Sequence, residues 1–114
     1  MGLQKLYQID AFTDQLYSGN PAAVCILENW IDNSIMQKIA AENNLAETAF
    51  AVKEDSRYII RWFTPELEVD LCGHATLATA YVLFNNYNVD TSFIEFFSPG
   101  SGKLLVEKGE NCLL

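Results

Sequence analysis

The sequence predicts an α+β domain: a curved, mixed or antiparallel sheet, barrel-like, wrapped around one central buried helix. Short strand-like runs recur along the chain between turn signals, and one segment, Ala75 to Phe84, is apolar on every face. Ala75, Leu77, Ala78, Ala80, Tyr81, Val82, Leu83 and Phe84 surround that helix, and only Thr76 and Thr79 interrupt them. A helix without a polar stripe is a buried one. This one is shorter than the roughly 20 apolar residues that a bilayer span needs.

Each element has a local reason. Leu6 to Phe12 alternates in part and reads as a first strand, and Tyr17-Ser18-Gly19-Asn20-Pro21 is a turn by composition. Ala22 to Leu27 is a continuous apolar run, the pattern of a strand buried on both faces. Asp32 or Asn33 caps a helix whose inner face is Ile35, Met36, Ile39 and Ala40, ending near Asn43-Asn44. Ala49 to Lys53 and Tyr58 to Phe63 form a hairpin about Glu54-Asp55-Ser56. The buried helix follows and ends around Asn85 to Asn88. Ser92 to Phe97 and Lys103 to Glu107 are strands joined by the turn Ser98 to Gly102. Cys112-Leu113-Leu114 resembles a strand that has barely begun, the expected mark of a longer protein.

Composition narrows the function. A chain of 114 residues, 50% hydrophobic, is one domain at most and has enough apolar material for a core. A net charge of −8 argues against nucleic acid and against an anionic membrane surface, both of which need Lys/Arg patches. A small anionic ligand needs only local donors. Cys25, Cys72 and Cys112 are odd in number, widely spaced and form no CxxC pair, so neither a disulfide framework nor a metal site is expected. Free thiols fit a reducing cytoplasm.

The chemistry-bearing stretch is Phe63 to Ala78, which holds the only His of the chain, His74. Gly73-His74 stands where a loop becomes the buried helix. The first N–H groups of a helix lack intrahelical partners and carry positive partial charge, so this end can receive a carboxylate. Cys72 beside it is either a thiol base or a small buried hydrophobe. His74 is either a group that holds a substrate oxygen or a satisfied helix-terminal imidazole. Glu47, between a helix end and a strand start, is either an exposed edge carboxylate or a partly buried general base. Asn20 can present its amide to a ligand or simply make the turn. Asp70 points away from the core.

The ordered set Gly19-Asn20-Pro21-Ala22-Ala23-Val24, Asn44-Leu45-Ala46-Glu47-Thr48-Ala49-Phe50, Phe63-Thr64-Pro65 and Leu71-Cys72-Gly73-His74-Ala75-Thr76-Leu77-Ala78 resembles the N-terminal half of the PhzF-like (phenazine-biosynthesis-type) isomerases. Ser101-Gly102-Lys103-Leu104 after a strand adds to it. The resemblance implies the diaminopimelate epimerase fold: two similar halves, each a sheet around a central helix, with the active site between them. It implies proton transfer on a small carboxylated metabolite without a cofactor. Glu47 would move the proton and His74 would help hold the substrate, with Asn20, Gly73 and Cys72 as further substrate contacts. Residues 1–114 would then be the N-terminal domain of a two-domain protein, inactive without its second half. The alternative is a catalytically silent half that forms a homodimer through the surface its partner domain should cover. A racemase using Cys72 as its base would need a second thiol in the facing half.

Overall fold

The computed structural model of the chain describes residues 6–9, 22–87 and 89–108. In chain order the elements are β1 (Leu6–Ile9), β2 (Ala22–Leu27), α1 (Asn33–Asn43), β3 (Glu47–Glu54), β4 (Arg57–Phe63), β5 (Glu68–Val69), α2 (Gly73–Asn86), β6 (Phe93–Ser98) and β7 (Gly102–Glu107). The strands form one mixed sheet in the order β1-β2-β3-β4-β6-β7, with β5 paired to β4. The pairs β2–β3 and β4–β6 are parallel, because a helix carries the chain back between them. The pairs β1–β2, β3–β4, β4–β5 and β6–β7 are antiparallel. Strand β4 divides one edge between two partners: Tyr58 and Ile59 pair with β6, Trp62 and Phe63 with β5.

Alternation along the strands builds a cluster on each side of the sheet. Ala22 and Val24 of β2, Ala49 and Ala51 of β3, and Ile60 and Trp62 of β4 join Ala75, Ala78, Val82 and Leu83 of α2. Cys25, Leu27, Phe50, Val52 and Phe63 take the other side and enclose Met36 and Ala40 of α1. The rings of Phe50 and Phe63 meet edge to face there, 5.5 Å apart. Both faces of β2 are therefore covered, which is why its sequence is apolar without alternation.

Local chemistry sets the boundaries. The Asp32 carbonyl accepts from the Ile35 and Met36 N–H groups at the start of α1, while its carboxylate makes no capping bond. Asn44 closes α1 in the left-handed region (φ 53°) and donates its N–H to the Ala40 carbonyl. Asp55 (φ 59°) makes the two-residue turn between Glu54 and Arg57. Gly102 (φ 80°), the first residue of β7 and opposite Ser98, takes the positive φ at the β6–β7 turn.

The architecture departs from the sequence reading in three respects. Among the described residues the sheet is open, running from β1 to β7 without closing into a barrel. The second helix cluster explains this shape: α1 covers one face and α2 the other, so the sheet lies between two helices. Helix α2 is not buried all round either. Tyr81 is 48% exposed, and Leu77 and Phe84 are only half-buried. Thr76 and Thr79, which interrupt its apolar pattern, are instead fully enclosed, their hydroxyls bonded to the Cys72 and Ala75 carbonyls. Finally, Glu68 and Val69 form the short strand β5, which two residues of sequence pattern do not announce. Arg61 holds it, donating at 2.8 and 2.7 Å to the two Glu68 carboxylate oxygens and at 3.0 Å to Asn33 Oδ1. The expected turn at Tyr17 to Pro21 and the expected strand at Cys112 to Leu114 lie outside the described residues.

Two predictions follow from the packing. Met36 is fully buried and its neighbour Ile35 is 45% exposed, so α1 should respond very differently at the two positions. Thermal unfolding should show a loss of about 2–5 kcal/mol for Met36→Ala and well under half of that for Ile35→Ala. Burial also pushes the Cys25 thiol from its ordinary 9.0 to about 11. A group held protonated by the fold stabilises it fully below its unfolded pKa and loses that contribution as pH rises through the folded one. Urea midpoints should therefore fall as pH rises from 9.0 toward about 11, and Cys25→Ala should make that fall shallower.

Candidate functional site

Topology brings Glu47 and the start of α2 together. Strands β3 and β4 are antiparallel with Thr48 opposite Phe63, so the first residue of β3 lies beside the end of β4. From that end the chain passes through β5 into α2. Glu47 also pairs with Ala22 across β2–β3 and falls on the same face as Ala49 and Ala51, the face that α2 covers. The sequence reading placed Glu47 between elements; it is the first residue of the strand, and its side chain points at the helix.

The connection that delivers α2 is held at both ends. The Thr64 N–H donates to the Leu67 carbonyl at 2.8 Å, and Thr64 Oγ1 accepts from the Glu66 and Leu67 N–H groups at 3.2 and 3.1 Å. Gln37 Nε2 of α1 donates to the Thr64 carbonyl at 2.9 Å. The Ser101 hydroxyl donates to the carbonyl of Asp70, whose own residue is exposed as expected.

Cys72 then takes the N-cap position in extended conformation (φ −147°, ψ 104°) without a side-chain capping bond. Its carbonyl accepts twice from Thr76, from the N–H at 3.1 Å and from Oγ1 at 2.8 Å. Thr76 Oγ1 in turn accepts from the buried Trp62 Nε1 at 3.1 Å. This buried chain from the sheet to the helix cap was not legible in the sequence. The only local signal was Thr76 itself, a hydroxyl inside an apolar helix.

Two features define the electrostatics. Glu47 Oε1 is buried with no hydrogen-bond partner among the described residues. The cost of burying such an atom unpaired is on the order of 1–3 kcal/mol, more if it is charged, so a donor is expected in the working state. The Cys72 thiol, meanwhile, is pushed up to about 11, by burial first. The Ala75 N–H facing the sulfur lowers it, the Glu47 carboxylate raises it by its charge and by hydrogen bonding, and the His74 N–H lowers it again. Burial and the carboxylate win over the helix terminus. Cys72 is thus a protonated thiol at neutral pH, the opposite of an activated base.

The structure therefore gathers Glu47, Cys72, Gly73 and His74 at one place, all half-buried. Asn20 lies outside the described residues. Neighbouring Thr48 is fully buried and accepts from Asn43 Nδ2 at 3.2 Å, which ties the end of α1 to the start of β3. A separate groove of about 490 Å³ is lined by Trp30, Arg61, Glu68, Asp70 and Ser98 but by none of the gathered residues. Arg61 there is taken up by Glu68 and Asn33, so it offers little to an anion. No group of three or more potential metal ligands occurs among the described residues, and none of their helices is long and apolar enough to cross a membrane.

Comparisons with known proteins agree on one family. The family model described as phenazine biosynthesis-like protein matches residues 9–112. The chain is 54% identical over 103 residues to an uncharacterized isomerase of Pseudomonas aeruginosa, covering 90% of this chain and 39% of that protein. It is 46% identical to a human phenazine biosynthesis-like domain-containing protein, covering 93% of this chain and 39% of the relative. A crystal structure of a PhzF-family protein from Enterococcus faecalis superposes with a TM-score of 0.88 at 57% identity, over 94% of this chain and 41% of that one. A predicted epimerase from Pseudomonas aeruginosa shares the fold, with a TM-score of 0.74 at 23% identity over 96% of this chain and 40% of the other. The chain spans about two fifths of the length of these relatives. With motif order, fold and sequence identity in agreement, the chain belongs to the phenazine biosynthesis-like (PhzF) family.

Proposed function

We propose that this chain is the N-terminal half of a cofactor-independent isomerase or epimerase that moves a proton on a small carboxylated metabolite. The observation that carries the reading is the buried, partnerless Glu47 Oε1 at the N-terminus of α2. A carboxylate oxygen held out of water with no donor is suited to take a proton from carbon. The charge that develops on the substrate would fall next to the first amides of α2, which are fixed before the reaction begins. His74, the second residue of that helix, would hold a substrate oxygen, and Gly73, its first residue, would offer a backbone N–H to the ligand. Asn20 would contribute from the preceding turn.

A proton moved between two carbons needs groups on both sides of the substrate, and the site here presents one side. The remaining three fifths of the relatives' length would supply the other and would complete the sheet around the exposed side of α2. The isolated chain would then bind weakly and turn nothing over. Cys72 is not the base in this scheme, because its thiol keeps its proton to about 11.

In the protein completed by its second half, Glu47→Gln should lower solvent-deuterium incorporation into substrate by about 10²–10⁴-fold. The measurement is proton NMR of candidate carboxylated substrates in heavy water. Full exchange in Glu47→Gln would remove Glu47 from the chemistry. Cys72→Ala, by contrast, should retain measurable exchange, whereas a thiol-based racemase would lose it entirely.

A further inference from the structure

We infer that Trp62 and Thr76 are positioning residues: their buried hydrogen bond fixes the first turn of α2 against the sheet beside Glu47. The role rests on the reading of Glu47 as the proton-transfer base with the α2 amides next to it, and adds the two side chains that set their separation.

Strand register keeps the connection short. Glu47 and Ala49 share the face of β3 that α2 covers, and Trp62 of β4 stands opposite Ala49 on that same face. From there the Trp62 indole N–H crosses from sheet to helix and donates to Thr76 Oγ1 at 3.1 Å. Thr76 Oγ1 donates in turn to the Cys72 carbonyl at 2.8 Å, and the Thr76 N–H donates to the same oxygen at 3.1 Å. That carbonyl closes the first turn of α2, so β4 holds the turn through its backbone. Trp62 is 0% and Thr76 1% exposed, which removes the water that would compete for these bonds. The usual capping devices are missing at this start: Cys72 makes no side-chain capping bond, and the first turn holds no acidic residue. Valine would fill the space of Thr76 equally well inside an apolar helix. It would break both hydroxyl bonds and leave the Trp62 N–H buried without its acceptor.

The deciding measurement needs no substrate, so failure of the anchor and failure of the isomerase reading are separate results. Amide hydrogen exchange of the 114-residue chain is followed by proton–nitrogen NMR. The amide of residue 76 reports opening of the first turn, and the amides of β3, a strand paired on both sides, report opening of the sheet. Thr76→Val should speed exchange at residue 76 about two- to tenfold relative to β3, the effect of one net hydrogen bond. Thr76→Ser, which keeps the hydroxyl, should restore the original ratio. Trp62→Phe should move the ratio in the same direction, and the double variant should go no further than the larger single effect. An unchanged ratio in either Thr76→Val or Trp62→Phe, with all amides faster together, overturns the anchor, since the pair would then be general packing. If Thr76→Val does not fold, the ratio in Trp62→Phe decides alone. In the protein completed by its second half, Thr76→Val should lower kcat for solvent-deuterium incorporation about 10- to 100-fold, with KM changed by less than about threefold. Full kcat with a loosened first turn overturns the positioning role.

Discussion

The close approach of α2 to the centre of the sheet is the constraint on which the rest depends. Ala22, Ala49 and Ala51 on the strands meet Ala75 and Ala78 on the helix in one buried cluster. Small side chains let the helix axis come near the strands, and larger ones would lift it away. That separation also decides whether the first amides of α2 can share a site with Glu47. Packing and chemistry are therefore the same geometry seen at two points along one helix.

The sheet order explains why the site lies at this end. Strand β4 runs up to α2, and β3 runs down from the same end, so the carboxylate at the start of one and the helix after the other converge. Strand β5 occupies only the last part of β4's edge, and Arg61 pins it through Glu68. The Thr64 turn and the Ser101 bond to Asp70 then fix the remaining loop. These bonds tie down the loop that leads into the site.

The thiol beside Glu47 shows how magnitudes decide a role. A helix N-terminus lowers a thiol's pKa, and Cys72 stands at one. Burial and the adjacent carboxylate act the other way and prevail. The residue type and the position in the motif would equally suit a base. Its surroundings keep it a thiol.

Much of this fold was legible from local pattern. The unalternating run of β2, the Asp55 hairpin and the start of α2 at Gly73 follow from short-range preferences and stand where the residues imply, whereas of the face expected on α1 Met36 and Ala40 are buried and Ile35 is 45% exposed. The motif residues Glu47, Cys72, Gly73 and His74 could also be singled out in advance, because their order along the chain is a sequence property. What the residues could not show is what long-range register decides. That Glu47 faces the helix follows from its pairing opposite Ala22 and from the antiparallel course of β3 and β4. The burial of Thr76 under Trp62, fourteen residues earlier, needs the whole β4–β5–α2 connection in place. The exposure of Tyr81 depends on which side of α2 the sheet covers. The sequence by itself determined the elements and the chemical groups, since these depend on neighbours along the chain. Only the tertiary structure decided which groups meet and which proton each keeps, since burial and Coulomb interaction depend on neighbours in space.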